Sequence, residues 1–312
     1  MKHLFIINPA AGPHDSYAAV SETVKRAFAA KRRGSFELYV TRGPMDAAEK
    51  IRYDSDYCDA LRVYACGGDG TLNECVCGAF GRGNVTLAHY PTGTGNDFIR
   101  SFGPETDRFR ELEDLLDGTP RPMDLILCND RPCLNVCCVG VDARIGTDVH
   151  KYSGLPLLGG PAGYVASTAV NLFKGVTDEL RVSCGGKLYY GSMSLICACN
   201  GSWYGGGFHP VPEARPDDGV LDFLIVRGVS RLTFLRLVGR YARGEYAKYP
   251  NYITHVRGDS MTIRGTRELS VSVDGEQLRA KTIELKLLPK ALSFLLPGRV
   301  AEQITGRTLE TV

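Results

Sequence analysis

The 312-residue sequence lacks the marks of several classes of protein. It has no apolar run of the roughly 18 residues that a membrane-spanning helix needs, and its start shows no signal-peptide pattern, so we expect a cytoplasmic protein. Its net charge of +2 argues neither for nor against a nucleic-acid partner. Lysine and arginine form no long block, however, so no such partner is indicated. The eleven cysteines include no Cys-x-x-Cys pair with matching histidines, so we expect reduced thiols and no zinc site.

One stretch organises the rest of the chain, namely Leu61 to Asn73 with the sequence LRVYACGGDGTLN. Its apolar first half predicts a buried strand, its glycines predict a tight turn, and the residues that follow predict a helix. A glycine turn at a helix N-terminus suits an anion such as phosphate. Asp69 would repel a phosphate unless a cation lies between them, which indicates Mg²⁺ with a nucleotide. The plainer reading is that Asp69 or Thr71 caps the helix.

Four apolar runs in the first third of the chain predict strands, and helical patterns separate them. The runs are Leu4–Ile7, Phe36–Val40, Leu61–Cys66 and Val85–Tyr90. Such alternation predicts a parallel sheet with helices on both faces, in which ligands bind beyond the carboxyl ends of the strands. Four loops at those ends are therefore expected to converge on one crevice: Asn8 to Gly12, Thr41, Gly67 to Thr71, and Gly93 to Asp97.

The pattern changes at Pro120 and Pro122, after an expected helix from Thr106 to Leu116. Short strand-like runs then dominate, among them Lys187–Tyr190, Met193–Cys199, Met261–Ile263 and Leu269–Val273. Helical insertions near Tyr164–Phe173 and Leu232–Arg243 interrupt them. This pattern predicts a β-rich second domain such as a sandwich. We therefore expect an α/β fold of two domains. The first covers 1–122 and the second 123–292, and the segment 293–312 is expected to return to the first.

Three further signals have two readings. Asp274-Gly275 is a hairpin signal, which would make Glu276 a solvated strand residue, but a carboxylate there also suits a general base. Asp217-Asp218-Gly219 is a turn signal that also suits a hard cation. His89 lies on a predicted buried strand and is more simply a core histidine than a catalyst.

A longer series of motifs runs through almost the whole chain. Its members are Asn8-Pro9 with Gly12, Gly67 to Thr71 with Asn73-Glu74, Gly93 to Phe98, Asn135 with Gly140 and Asp142-Ala143, Gly205 to Phe208 with Pro212, Asp218-Gly219 with Asp222, and Asp274-Gly275-Glu276. In this series the chain resembles the diacylglycerol kinase catalytic-domain family, above all its soluble bacterial lipid kinase branch, which is related to sphingosine and ceramide kinases. The GGDGT turn alone is shared with NAD kinases and phosphofructokinases, whereas GTGNDF and the later motifs are more specific.

The resemblance implies a nucleotide-binding α/β domain and a β-sandwich domain, as in NAD kinases and diacylglycerol kinases, with ATP as co-substrate and Mg²⁺. It implies that the γ-phosphate of ATP passes to a lipid hydroxyl, most simply that of diacylglycerol, to give phosphatidic acid. Glu276 is the implied base, and Asp69 and Asp124 belong to the implied catalytic metal network. A structural Mg²⁺ is implied at Arg215, Asp218 and Val220. The implied nucleotide contacts are Asn8, Pro9, Ala10, Ala11, Gly12, Thr41, Gly67, Gly68, Asp69, Gly70, Thr71, Leu72, Asn73, Thr94 and Asn96.

The first loop departs from the family pattern. Many relatives end this loop with a Ser-Gly-Lys-like sequence, whereas here Gly12 is followed by Pro13-His14. One cationic phosphate contact is therefore missing from its usual place. Two alternatives stay open: a kinase of a soluble substrate such as NAD, supported by GGDGT alone, and a non-catalytic nucleotide- or lipid-binding homologue.

A lipid substrate implies transient, peripheral contact with the inner face of the membrane. The segment Lys151–Leu158 combines a cation, a tyrosine and leucines in a loop rich in glycine and proline, which suits a membrane interface. Its plainer reading is a loop that packs against the protein. Leu157 and Leu158 are the residues expected to enter the membrane, and a homodimer is left open.

Overall fold

The computed structural model describes residues 1–11, 16–93, 95–141, 143–144 and 176–302. The chain divides into two compact units, one formed by Met1–Asp124 with the segment from Pro289 onward and the other by Leu125–Leu288. The expected helix near Tyr164–Phe173 and the expected docking loop Lys151–Leu158 lie outside the described residues. Within the described ranges, no helix is both long enough and apolar enough to cross a membrane.

The first unit alternates strands and helices, as the apolar runs predict. Its elements are β1 (Lys2–Ile7), α1 (Ser16–Ala30), β2 (Glu37–Val40), α2 (Asp46–Asp56), β3 (Leu61–Gly67), α3 (Asp69–Ala79), β4 (Val85–Pro91), α4 (Asp97–Arg100), a 3-10 helix (Pro104–Arg110) and α5 (Leu112–Leu116). The strands lie in the order β2-β1-β3-β4, and every pairing is parallel. Ser293 and Phe294, near the end of strand β13 (Glu276–Leu296), add a further parallel pairing on β4.

The core of the first unit lies against both faces of this sheet. Residues 3–7 of β1 and nearly all of β3 are buried, which is why these strands have continuous apolar sequences rather than alternating ones. The ring of Phe5 stacks on that of Tyr64 with centroids 4.3 Å apart. The expected single helix from Thr106 to Leu116 was wrong: Glu111 is extended, and this break lets Phe109 and Leu112 both reach the core.

The second unit is an antiparallel β structure. Strand β5 (Thr119–Cys128) enters it, and β6 (Arg131–Cys133), β7 (Val136–Gly140), β8 (Asp178–Cys184), β9 (Lys187–Cys199) and β10 (Leu221–Arg227) follow. Helix α6 (Arg231–Tyr241), a 3-10 helix (Tyr246–Lys248), β11 (Ile253–Gly258), β12 (Ser260–Val273) and β13 complete it. Strands neighbour one another in the order β11-β10-β9-β7-β12-β13, and β8 pairs with both β9 and β12.

Two pairs of expected strands are single strands in the structure. Lys187–Tyr190 and Met193–Cys199 join in β9, where Gly191 has a φ of 113° and the strand exchanges β8 for β7 and β10 as partners. Met261–Ile263 and Leu269–Val273 join in β12 across a shift of register. A strand that changes partners has no single apolar period, so its sequence suggested two strands.

Each central strand of the second unit is buried on both faces. Cys137 and Val139 of β7 face one apolar cluster, while Val136 and Cys138 face another. The second cluster includes Tyr241 of α6, and Phe234 of the same helix packs against it. The unit therefore has apolar layers on both sides of the β7–β9–β10 sheet, as a sandwich requires.

Candidate active site

The loops that carry most of the candidate nucleotide residues leave neighbouring parallel strands at the same edge of the first unit. Backbone hydrogen bonds join these loops to one another: Asn8 N–H donates to the carbonyl of Cys66 (3.3 Å), Thr41 N–H to that of Ile7 (2.9 Å) and Thr92 N–H to that of Gly67 (3.0 Å). The expected convergence of these loops is thus present for their described parts. Gly12 and Thr94 lie outside the described residues.

Asn8 connects the first loop to helix α3. Its side-chain amide donates to Thr71 Oγ1 (3.1 Å), and its Oδ1 accepts the N–H of Ala10 (2.9 Å). The N–H of Ala11 then donates to the carbonyl of Asn8 (3.1 Å). An asparagine therefore shapes the Asn8-Pro9-Ala10-Ala11 turn by an Asx hydrogen bond and holds it against the glycine turn.

The glycines of two loops approach each other at backbone distance. A Cβ atom on Gly93 would lie 2.5 Å from Gly68 Cα, and a Cβ atom on Gly67 would lie 2.2 Å from Thr71 Oγ1. At Gly70 nothing lies within 4 Å of such a Cβ atom. Packing alone therefore demands glycine at 67 and 93, whereas at Gly70 only a bound ligand would give glycine an advantage.

Asp69 caps a helix, but not its own. Helix α3 has Gly68 at its N-cap and no side-chain cap hydrogen bond. Instead Asp69 Oδ1 accepts the N–H of Asp97 (2.8 Å), the first residue of α4. The plainer reading of Asp69 and Thr71 as caps of their own helix was wrong. The carboxylate joins the β3–α3 turn to the β4–α4 loop, across 28 residues of sequence.

Asn96 shapes the other side of that loop. It adopts the left-handed conformation with φ 54°, which asparagine tolerates better than most residues. Its side-chain amide donates to the carbonyl of Gly93 (2.7 Å). Leu72 and Asn73, two more candidate residues, are buried on α3.

His89 is a supporting residue whose contact the sequence reading missed. It is fully buried, and its Nε2 lies 3.1 Å from the carbonyl oxygen of Gly67. Because a carbonyl only accepts, Nε2 carries the proton. The same oxygen also accepts the N–H groups of Thr92 and Gly93. Burial lowers the pKa of His89 to about 4, so the ring is neutral near pH 7. Its position on a buried strand next to the turn was the only available signal.

Asp124 lies in the first unit as well, at its boundary in the chain. Its side chain is buried, and Oδ1 accepts the N–H of Lys290 (2.7 Å). Lys290 has a φ of 52°, so this carboxylate holds a backbone segment in an uncommon conformation. Asp124 therefore has a structural contact in addition to its proposed metal role.

Glu276 opens β13 directly after a tight hairpin turn in the second unit. Val273 pairs with Glu276, and the two turn residues Asp274 and Gly275 have φ angles of 49° and 96°. These angles are typical of a type I′ turn, as Asp-Gly predicts. The side chain of Glu276 is exposed, so solvent and small molecules can reach its carboxylate.

Asp274 anchors this turn in a way that its sequence does not reveal. Its carboxylate accepts backbone N–H groups from Leu134 (2.6 Å), Asn135 (2.9 Å) and Val136 (3.0 Å). Three charge-assisted bonds to one carboxylate fix the position from which Glu276 starts. The contacts span about 140 residues, so no local pattern could have indicated them.

The proposed structural metal residues lie in the loop before β10. Asp218 Oδ1 accepts the N–H of Val220 (3.1 Å), and Oδ2 pairs with the guanidinium of Arg257 (2.7 Å). Arg257 also lies 3.3 Å from Asp222, and the side chain of Arg215 pairs with Asp217. Burial raises the pKa of Asp218. Arg257 already places a positive charge beside Asp218. A structural Mg²⁺ at Arg215, Asp218 and Val220 stays a prediction.

The donor set of the first unit fits a magnesium ion that arrives with a nucleotide. No group of three or more His, Cys, Asp or Glu side chains in the described ranges is arranged to hold a metal on its own. Mg²⁺, however, usually binds one or two carboxylates and completes its shell with phosphates and water. Asp69, half-buried beside the start of α3, can supply one such carboxylate.

Glycine loops that meet at the carboxyl ends of a parallel sheet are typical of proteins that bind phosphorylated ligands. The model of the diacylglycerol kinase catalytic domain matches residues 2–128, and that of the YegS C-terminal NAD kinase beta sandwich-like domain matches residues 135–296. The chain therefore belongs to the diacylglycerol kinase catalytic-domain family, and its first unit contains a kinase catalytic domain. The expected family, enzyme class and two-domain fold are confirmed.

Individual relatives cover most of the chain. "Probable lipid kinase YegS-like" from Pseudomonas aeruginosa (strain UCBPP-PA14) is 30% identical over 282 residues, which are 90% of this chain and 91% of that protein. "Diacylglycerol kinase" from Bacillus subtilis (strain 168) is 27% identical over 244 residues, 78% of this chain and 80% of that protein. The crystal structure of a diacylglycerol kinase from Bacillus anthracis str. Sterne shares the fold, with a TM-score of 0.68, 23% identity and coverage of 96% and 98%.

Proposed function

We propose that this protein is an ATP- and Mg²⁺-dependent lipid kinase that phosphorylates the hydroxyl group of diacylglycerol. The observation that carries the proposal is the glycine turn at the N-terminus of α3, where nothing lies within 4 Å of a Cβ atom on Gly70, so the backbone there is open to a ligand. The first N–H groups of a helix have no partner within the helix and favour anions. An ATP phosphate chain is the anion that a kinase catalytic domain would bring there.

The chain's own residues divide the work of phosphoryl transfer. Asn8 and Thr71 hold the first loop against the glycine turn, so both loops are prepared for the phosphates before binding. Asp69 presents a carboxylate at the start of α3 for Mg²⁺, which would neutralise charge on the phosphates. Glu276 would orient the lipid hydroxyl and accept its proton as the bond to phosphorus forms. Phosphoryl transfer needs mainly positioning and charge stabilisation, which this set can supply.

A pocket in the second unit supports a lipid as the acceptor. It opens to solvent and is lined by apolar and aromatic side chains, including Phe208, Phe234, Leu237, Val238, Tyr241 and Ile253. A soluble substrate such as NAD would need several polar groups in its pocket, whereas an acyl chain needs none. This contrast favours a lipid over a soluble acceptor.

The test is transfer of labelled γ-phosphate from ATP to lipids in detergent mixed micelles, with and without Mg²⁺. We expect a labelled phosphatidic acid from diacylglycerol. Formation of NADP from NAD in the parallel reaction would instead assign the protein to soluble-substrate kinases. Binding of ATP without transfer to any glycerolipid or sphingoid base would support a non-catalytic homologue.

A further inference from the structure

Helix α6 presents leucines to solvent rather than to the core. Leu232 is 59% exposed and Leu235 51% exposed, and Tyr241 is the only buried residue of the helix. The opposite side of α6 packs on the second unit, where Phe234, Leu237 and Val238 line the apolar pocket. Exposed leucines on a helix already held in place by its other side are not needed for folding. Their position indicates a contact outside the unit.

The chain around this face is rich in arginine. The twenty-two residues between Asp222 and Glu245 contain five arginines and no acidic residue. Arg236 follows Leu235 directly, lies one helical turn from Leu232 and is exposed. It makes no ion pair with any residue that the structure describes. At the end of the helix, Glu245 is shared by Arg240, Arg243 and Lys248, so cations outnumber the acid there too.

We propose that the outer face of α6, formed by Leu232, Leu235 and Arg236, docks on a bilayer that contains anionic lipid. Leucine side chains enter the boundary between headgroups and acyl chains, while arginines remain at headgroup level and meet negative charge. This face belongs to a different part of the chain from the segment Lys151–Leu158 that the sequence suggested. The proposal rests on the proposed function only in that a lipid substrate gives the protein a reason to visit a membrane.

The second unit offers a matched control surface. Leu188 is 63% exposed and Tyr190 77% exposed on strand β9, so this pair is more exposed than the pair on α6. Docking by α6 depends on its combination of leucines with arginines. Loss of Leu188 and Tyr190 should therefore leave vesicle binding unchanged. Any non-specific effect of exposed apolar groups would appear equally at both surfaces.

The experiment is co-sedimentation of the full chain with vesicles of phosphatidylcholine containing 30% phosphatidylglycerol, and with vesicles of phosphatidylcholine alone. Leu232→Ser/Leu235→Ser should weaken binding to the anionic vesicles by about tenfold or more. Arg236→Gln should weaken it by about fivefold, the effect of one arginine near an anionic surface. Leu188→Ser/Tyr190→Ser should bind like the unchanged protein. All substituted residues are exposed, and circular dichroism is the check that each variant folds.

Unchanged binding of the α6 variants, or an equal loss in the β9 variant, overturns the proposal. Loss of a dimer in light scattering, without any loss of vesicle binding, would assign the face to a second copy of the chain and also overturns it. Transfer to short-chain dioctanoylglycerol in detergent separates this outcome from failure of the proposed function. The α6 variants should keep that activity. If the protein is not a lipid kinase, the protein without substitutions would also lack the activity, although it could still bind vesicles.

Discussion

The residues of the candidate site differ in how much structure depends on them. Glu276 is exposed and follows a turn that Asp274 anchors, so its carboxylate contributes little to the stability of the fold. Asp124 is buried and holds the backbone of Lys290, and His89 is buried under the glycine turn. Substitution of Glu276 should therefore isolate chemistry, and substitution of His89 should isolate support of the turn.

Glu276→Gln should abolish most phosphate transfer while ATP affinity stays within a few-fold, because the amide keeps the shape but cannot accept the proton. Loss of a general base typically costs about 10²–10⁴ in rate. Glu284→Gln, an exposed carboxylate on the same strand, is the control and should keep full activity. Equal activity of the two variants in the micelle assay would remove Glu276 from the mechanism.

His89 should make the stability of the protein depend on pH. Its pKa is about 4 in the folded protein and about 6.5 when unfolded, so between these values the unfolded state binds more protons. The contribution of the neutral ring is complete above pH 6.5 and is lost as pH falls towards 4, by up to about 3 kcal/mol. His3, whose pKa burial also lowers to about 4, adds to the same trend.

Urea unfolding at pH 7 and pH 5 measures this effect. His89→Gln keeps an N–H donor near Gly67 but cannot be protonated, so its stability should fall less between the two pH values than that of the unchanged protein. His89→Leu should lower stability at pH 7 by about 1–3 kcal/mol, because the hydrogen bond to the Gly67 carbonyl is lost. An unchanged pH dependence in His89→Gln would show that other groups cause the acid sensitivity.

At the scale of elements, the first unit is organised by contacts between loops that leave adjacent strands. The β3–α3 turn touches the first loop through Asn8 and Thr71, and touches the β4–α4 loop through Gly68, Gly93 and Asp69. One turn therefore sets the position of two others. Substitutions in it can alter the fold, the ligand site or both, and the structure separates these effects.

Gly93→Ala and Gly70→Ala form a matched pair. At Gly93 the added methyl group would meet backbone atoms of Gly68, so the loops must separate, and we expect a loss of stability of about 1–3 kcal/mol. At Gly70 the added methyl group meets nothing, and alanine favours a helix by up to about 1 kcal/mol. Gly70→Ala should keep or raise the melting temperature yet lower ATP affinity, because phosphates would approach the bare backbone. Calorimetric ATP titration that finds no change in Gly70→Ala contradicts this phosphate position.

Asp69→Asn and Asp69→Ala divide the two roles of this residue. Asparagine keeps an oxygen that can accept the Asp97 N–H but loses the charge, so stability should change little while Mg²⁺-dependent ATP affinity falls by about tenfold or more. Alanine should in addition lower stability by about 1 kcal/mol, the usual effect of a lost cap. Mg²⁺-dependent affinity that survives in Asp69→Asn would leave Asp69 as the cap of α4 alone.

For the whole molecule, burial explains the unusual number of cysteines. All eleven are free thiols, nine are buried, and only Cys58 and Cys77 are partly exposed. Burial raises the pKa of Cys66 and of Cys184, so these thiols are both inaccessible and protonated. They occupy core positions in both units as small apolar side chains.

Titration with a chromogenic disulfide reagent tests this account. The native protein should react rapidly at no more than two thiols, and the protein in guanidinium chloride should react at all eleven, because the thiolate is the reactive form and denaturation exposes it. Cys58→Ser/Cys77→Ser should remove the rapid phase. Rapid reaction of more than two thiols in the native protein would show that a cysteine-rich core opens easily.

The sequence by itself determined the local elements and the family. Apolar runs of strand length, the glycine turn after Cys66 and the Asp-Gly hairpin before Glu276 each depend on neighbouring residues, and their chemistry is local. The ordered motif series identified the diacylglycerol kinase family for the same reason, because each motif is short and continuous in the chain.

Tertiary structure alone decided which residues these elements join. Asp69 caps a helix 28 residues away, His89 supports a turn 22 residues earlier, and Asp274 binds N–H groups about 140 residues away. It also decided that β9 and β12 are continuous, although their partners change along their length. A hydrogen bond between distant segments depends on where the packed core brings their backbones, and no period or short motif in the sequence carries that information.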